Sequence, residues 1–355
     1  MRISAVGAAI ALVMAAMGVA GAQSPPAASP APPVEAAPAP PAGVTAPAPP
    51  AGVTERMVML GSGDWQVKGA LTMPQGKGPF PAVVLVHGSG PGTLDMNVGG
   101  STIYRDLAWG LAARGVAVLR YIKRTTAHRE RFKALGRPPK LTEEFVEDAS
   151  SAAQLLRRTP GVDPARVHVF GNSQGGMLAA TIANANGLAG ALIMASSPRP
   201  VGDIIIQQAD YVTGISTDPA ERTRAAEVRR NGERINAITP ASDADEVIHG
   251  SPVWYWRDMA AIDPIGQVKK LAARGGRVII MHGDRDYLVT EEDWAAWTQA
   301  LDRQPRVTLK RYPVLNHIMQ EGEGRMTPAE YKWTRPVSPA FIDDVAAWIK
   351  AGKGR

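Results

Sequence analysis

Ser173 stands in the run Gly171-Asn172-Ser173-Gln174-Gly175-Gly176, a G-x-S-x-G spacing. A short apolar stretch, residues 167–170, precedes it, and a helical pattern through Met177, Leu178, Thr181 and Ile182 follows. Strand, sharp turn and helix in that order hold a serine in a strained backbone conformation with its hydroxyl exposed. Flanking glycines remove the side chains that would collide with the neighbouring strand and helix. A serine hydroxyl is a weak nucleophile, and it needs a base within hydrogen-bond reach that is oriented by a third group. In this setting the chain order is serine, acid, histidine.

The chain has six histidines. His87, His128 and His168 precede Ser173, and His168 lies inside the strand leading to it, where a packed or hydrogen-bonded sheet residue is expected. His249 falls where there is neither a strand signal nor an acid in the expected place. His282 comes just before the acids, in His282-Gly283-Asp284-Arg285-Asp286. That leaves His317, in a turn after an apolar run and preceded by Asn316, as the base. Asp284 and Asp286 both qualify as its orienting acid; taking Asp286 leaves Asp284 as a turn residue after Gly283. An oxyanion also needs donors. Residues 82–86 run into His87-Gly88-Ser89-Gly90-Pro91-Gly92, and the backbone N–H groups of Ser89 and Gln174 are the natural pair. This glycine-rich turn lacks the Gly-Lys-Ser/Thr ending of a phosphate loop, so a nucleotide-binding reading is weak.

The elements that must position these groups alternate along the chain. Short continuous apolar runs at 82–86, 116–119, 167–170, 191–195, 278–281 and 307–309 read as strands buried on both faces. Between them lie helical patterns, one through Ile103, Leu107 and Leu111, another through Phe145, Ala149, Ala152 and Leu156. The second has Thr142 as its expected N-cap and Glu143 and Glu144 in its first turn. Gly115, Gly161 and Gly187 punctuate helix exits. The fold class expected is α/β, a doubly wound and mostly parallel sheet, with ligands beyond the carboxyl ends of the strands. From 197 to 262 the rhythm stops, helical patterns at 204–212 and 221–238 appear, and an inserted helical cap is expected. Trp254, Tyr255 and Trp256 are candidates for its apolar wall and receive no site role.

Composition narrows the chemistry. The 355 residues include no cysteine, which excludes disulfides, thiolate metal sites, iron–sulfur clusters and thiol nucleophiles. The motifs call for no cofactor and no metal. Residues 1–22, with one early Arg, an apolar Ala-rich run and Ala20-Gly21-Ala22, read as a signal peptide, so a periplasmic or secreted protein without a stable membrane span is expected. Residues 23–54 are rich in Pro and Ala and repeat Pro-Pro-Ala-Gly-Val-Thr at a period of nine, which suits an extended linker rather than a core. The remaining 55–355 form the domain. The formal charge of +6 is scattered. Its densest patch, Lys123, Arg124, Arg129, Arg131, Lys133, Arg137 and Lys140, is expected to be a solvated loop. With only Phe132 among these charges, no nucleic-acid partner is expected.

Four segments carry a family resemblance: Val84-Leu85-Val86-His87-Gly88-Ser89-Gly90-Pro91, the 171–176 turn, Gly283-Asp284-Arg285-Asp286-Tyr287-Leu288-Val289 and Leu315-Asn316-His317. In this order they resemble an α/β-hydrolase over about residues 57–350. More narrowly, the chain is similar to a bacterial branch of serine hydrolases related to dienelactone hydrolases, acyl-CoA thioester hydrolases and S9-type peptidases. The resemblance implies Ser173, Asp286 and His317 as a catalytic triad. It departs from that branch at Ile122, where an Asp commonly precedes Lys-Arg. The expectation is an exported serine hydrolase acting on a small ester, thioester or acyl substrate through an acyl-enzyme. A peptidase or acyltransferase on the same triad is the second reading. A non-catalytic binding module is the remote one, because all three triad positions are filled.

Overall fold

The computed structural model describes residues 47–352. The predicted signal peptide and residues 23–46 of the predicted linker lie outside them.

Eight strands form one sheet: β1 (Val53–Leu60), β2 (Val67–Pro74), β3 (Phe80–Val86), β4 (Ala117–Tyr121), β5 (Val162–Asn172), β6 (Gly190–Met194), β7 (Arg277–Gly283) and β8 (Val307–Tyr312). Their order is β1-β2-β4-β3-β5-β6-β7-β8. β1 and β2 pair antiparallel, as do β2 and β4, and from β4 to β8 every pairing is parallel. All six strands expected from apolar runs are present. β1 and β2 add an antiparallel ribbon at one edge; β1 is half exposed, and β2 carries only a short apolar run at Ala70-Leu71. β1 starts at Val53, inside the stretch assigned to the linker, because Val53 and Thr54 pair with Pro74 and Met73.

Continuous apolar runs are needed because both sheet faces are covered. Ala82, Val84 and Val86 of β3, with Val167 and Val169 of β5, pack under α2 (Glu147–Arg158) and α3 (Gln174–Ala185). Val83, Leu85 and Phe170 point the other way, toward α1 (Ile103–Ala112) and α9 (Pro339–Ala351). β4 lies on one side of β3 and β5 on the other, so the loops leaving β3 and β5 open a crevice at the carboxyl edge of the sheet.

The excursion between β6 and β7 carries α4 (Val201–Ile215), α5 (Pro219–Asn236), α6 (Val253–Ala260) and α7 (Pro264–Ala273). α4 and α5 cross closely: a Cβ on Gly202 would lie 2.7 Å from Gly232 O, and one on Gly232 would lie 2.8 Å from Gly202 O. Asp218 caps α5 by accepting from Ala220 N at 2.9 Å. α4 is tied to the body by Tyr211, which stacks on Tyr287 at 4.7 Å and donates to Met326 O at 2.8 Å. Two sheet-flanking helices remain, α8 (Glu291–Leu301) and the already described α9.

Two expectations are corrected. Thr142 is not an N-cap: Thr142–Val146 form a π-helical turn in which it makes no capping bond, and α2 begins at Glu147. In that wider turn Glu143 reaches Arg137 at 2.7 Å and Lys140 N at 2.8 Å, while Glu144 is buried against Lys123. Nor is the basic patch wholly solvated. Lys123 and Arg124 are buried and paired with Glu144 and Asp148, both at 2.6 Å. Their partners lie some twenty residues further on, so a local charge count misses the pairing. The glycine exits hold, with φ of 84° at Gly115, 85° at Gly161 and 57° at Gly187.

His168 is buried in β5 as expected, with Nδ1 3.1 Å from Arg166 O and its ring edge-on to Trp348. Burial holds its imidazole down to about 4. The unfolded chain therefore binds this proton more readily, and the resulting stability is fully present above about pH 6.5 and lost as the pH falls toward 4. His168→Gln is expected to flatten that loss, by up to about 3 kcal/mol, in chemical denaturation series at stepped pH. An unchanged slope between pH 6.5 and 4 would refute the assignment.

Candidate active site

β5 delivers Ser173 to the crevice with φ 55° and ψ −123°, a conformation that costs a non-glycine residue about 1–3 kcal/mol. The turn is held because Ser173 N donates to Met194 O of the adjacent β6 at 2.9 Å. Three glycines make the geometry possible. A Cβ would lie 2.2 Å from Gly175 O at Gly171, 2.3 Å from His87 O at Gly175, and 2.6 Å from Ser196 Cβ at Gly176. A fourth, Gly88, brings the turn after β3 against the serine, where an added Cβ would sit 3.0 Å from Ser173 Cβ. Ser89 follows in that turn, and Gln174 opens α3, where the first backbone N–H groups have no helical acceptor. Among the described residues, Ser89 N–H has no acceptor either.

Asp286 and His317 come from the loops after β7 and β8. Asp286 Oδ2 lies 2.6 Å from His317 Nδ1. Its other oxygen accepts from Leu288 N at 2.8 Å and Val289 N at 3.2 Å, so a wholly buried carboxylate is satisfied on both sides. Asp284 is elsewhere, paired with Arg311 at 2.7 Å on the partly exposed rim. Asn316 shapes the histidine turn by accepting from Ile318 N at 3.1 Å and Gln320 N at 2.9 Å. Glu330 joins the two loops, accepting from Arg285 at 2.5 Å and Asn316 at 3.0 Å. His317 is linked to the serine turn by its backbone: Asn172 Nδ2 donates to His317 O at 3.3 Å. Ser173 Oγ itself has no hydrogen-bond partner among the described residues, as is common before substrate tightens such contacts.

Ser173, Ser89 and Gln174 line a cavity of about 80 Å³ roofed by Val201, Ile205 and Met259 from the cap. Met177, Val201 and Met259 also line a neighbouring groove of about 720 Å³ between cap and body. His249, set aside in the sequence, lines the catalytic-side cavity as well. It sits at φ 50° beside Gly250 at φ 78°, at the tip of a hairpin whose strands are two residues each, too short for a visible alternation.

Sequence reasoning also missed a buried polar network beneath the turn after β3. Lys123 Nζ donates to Gly88 O at 2.9 Å and Gly90 O at 3.3 Å and pairs with Glu144 at 2.6 Å. Tyr255 OH donates to Glu144 at 3.2 Å and accepts from Gln174 Nε2 at 3.0 Å. Burial pulls the Lys123 ammonium below its ordinary value, with Glu144 opposing, and pushes the Tyr255 phenol up. His87, tilted against the Tyr104 ring and bonded through Nε2 to Tyr121 O at 2.8 Å, is held by burial down to about 4 and stays neutral. Among the described residues no group of side chains is arranged to hold a metal ion.

Residues 83–330 match the model of the alpha/beta hydrolase family. The chain belongs to that family. Esterase EstD of Thermotoga maritima is 36% identical to this family member over 285 residues, which are 79% of this chain and 65% of the esterase. The match thus spans just under two thirds of that relative's length. YtmA of Bacillus subtilis strain 168, an uncharacterised peptidase, is 29% identical over 149 residues, 41% of this chain and 45% of its own. Among solved structures, the fungal esterases from Rhizomucor miehei superpose with a TM-score of 0.50 at 15% identity, over 84% of this chain and 83% of theirs, a likeness of fold alone.

The glycine contacts predict their own cost. Gly175→Ala forces a methyl group toward His87 O and is expected to lower stability by at least about 2 kcal/mol, measured by thermal unfolding. A variant as stable as the parent would mean that the two turns are not pressed together.

Proposed function

We propose that this hydrolase cleaves carboxylic esters with small acyl groups through a serine-bound acyl-enzyme. The observation that carries the reading is the buried Asp286–His317 contact of 2.6 Å, with the His317 carbonyl bonded at 3.3 Å to Asn172, the residue before the strained Ser173. Ser173 Oγ attacks the ester carbonyl carbon while His317 Nε2 takes its proton. Asp286, already bonded at Nδ1, stabilises the imidazolium and fixes the tautomer. Negative charge gathers on the former carbonyl oxygen, for which the backbone N–H groups of Ser89 and Gln174 are the donors. Collapse of the intermediate breaks the ester C–O bond, and His317 returns the proton to the departing alcohol. Water then enters by the same route and frees the acid. The relation to an esterase over most of the described chain supports this class of reaction.

The cavity at Ser173 supports the small acyl group, since about 80 Å³ is far below the 300–1,000 Å³ common for drug-sized ligands. It also disfavours the peptidase reading, which a partial likeness to YtmA would otherwise raise. An exported location follows from the pattern of residues 1–22 and remains part of the proposal. No helix among the described residues is long and apolar enough to cross a membrane.

Ser173→Ala is expected to abolish labelling by a fluorophosphonate. Asp286→Asn should lower kcat on p-nitrophenyl butyrate by about 10⁴-fold, while Asp284→Asn changes it by less than about threefold. Equal labelling of parent and Ser173→Ala, or equal losses at the two aspartates, would sink the assignment. Across p-nitrophenyl esters, kcat/KM should peak at two to four acyl carbons. Met259→Ala opens the wall to the adjoining groove and should move the peak to longer chains; a flat profile in the parent would contradict the small-acyl reading.

A further inference from the structure

We propose that Lys123 is a positioning residue for the oxyanion donor at Ser89, and that Glu144 and Tyr255 extend this control to Gln174. The inference deepens the serine-hydrolase reading and rests on it. Gly88 O and Ser89 N–H belong to one peptide unit, and that peptide is trans. In a trans peptide the carbonyl and the N–H point in opposite directions in one plane. An ammonium bonded to Gly88 O at 2.9 Å therefore sets the direction of the Ser89 N–H. A second bond, from the same Nζ to Gly90 O at 3.3 Å, pins the far side of the turn. Charge on the carbonyl side also polarises the amide, which makes its N–H a stronger donor.

The surroundings keep Lys123 to this task. Its side chain is 1% exposed, with Nζ 4.2 Å from the centre of the Phe145 ring and paired with Glu144 at 2.6 Å. Glu144 passes the constraint to Tyr255 on the cap, and Tyr255 accepts from the side chain of Gln174. The two residues proposed to hold the oxyanion are thus fixed relative to each other through three buried side chains. Stability alone does not call for such a device, because well-packed apolar side chains often replace a buried ion pair without loss.

The test compares Lys123→Met and the charge-balanced Lys123→Met/Glu144→Gln with the parent, in the full chain. A third protein, Arg124→Met/Asp148→Asn, removes the neighbouring buried ion pair, which has no role at the site. Active sites are titrated with fluorophosphonate, and kcat and KM are measured with p-nitrophenyl butyrate. Affinity for a trifluoromethyl ketone, whose hemiketal oxygen mimics the oxyanion, is measured alongside. Loss of a whole oxyanion donor costs about 10²–10³-fold in kcat. Here the donor remains but is no longer aimed, so kcat should fall about 10- to 100-fold in both Lys123 variants. KM should stay within about threefold, and ketone affinity should drop in parallel with kcat. The Arg124/Asp148 variant should keep kcat per titrated site. Retention of kcat and ketone affinity within about twofold in the double Lys123 variant overturns the proposal, as does an equal loss in the Arg124/Asp148 protein. Failure of the serine reading shows separately: fluorophosphonate would label Ser173→Ala as fast as the parent, and both proposals would fall.

Discussion

Two backbone turns touch at the carboxyl edge of the sheet, and the geometry of the site depends on that contact. The turn after β3 meets the turn after β5 where Gly88 faces Ser173 and Gly175 faces His87 O. A side chain does not fit at Gly175, and one at Gly88 would crowd Ser173 Cβ at 3.0 Å. Because β3 and β5 are neighbours in the sheet, the contact is in turn a consequence of strand order. Parallel pairing places both carboxyl ends at one edge, and the crossing to opposite sides opens the space between them. The strain at Ser173 is tolerated because β6 accepts its amide and α3 starts at once behind it.

Around this contact the sequence places buried charges that need partners. An isolated buried charge costs several kcal/mol, so each must be answered locally. Asp286 is answered by His317 and two backbone amides, Arg285 by Glu330 and Lys123 by Glu144. None of the side-chain pairs is local in sequence. Each joins two segments far apart in the chain, so the charges also fix where the loops lie. Glu330 shows this most directly, since it bonds both Arg285, beside Asp286, and Asn316, beside His317.

Ser173, Asp286 and His317 were singled out by local chemistry, glycines about a serine and polar residues just past apolar runs, and the fold pairs Asp286 with His317 at 2.6 Å. The six parallel strands were legible because burial on both faces leaves unbroken hydrophobic stretches. β1 and β2 were not, since Thr54, Glu55 and Arg56 break β1, Met57 and Met59 remain exposed there, and β2 carries only a short apolar run. Thr142 looked like a cap because its type and the acids after it fit one; in the structure those acids turn to Arg137 and Lys123 instead, from a π-helical turn. Lys123, Tyr255 and His249 gave no local sign of their place. A lysine within a basic run, a tyrosine between two tryptophans and a histidine in a short hairpin take their meaning only from what packs against them.

The cap leaves the sheet after β6 and returns at β7, and these two strands are hydrogen-bonded neighbours, with Met194 opposite Met281. A crossover between adjacent parallel strands must be closed whatever its length. The entropy of closing a flexible segment grows only with the logarithm of its length, by about 0.6 kcal/mol per doubling. Exchanging or lengthening the cap therefore perturbs the scaffold's free energy of loop closure very little, while it replaces the roof over Ser173. Polymer statistics thus let the roof vary at this one crossover while Ser173, Asp286 and His317 stay where the strands put them.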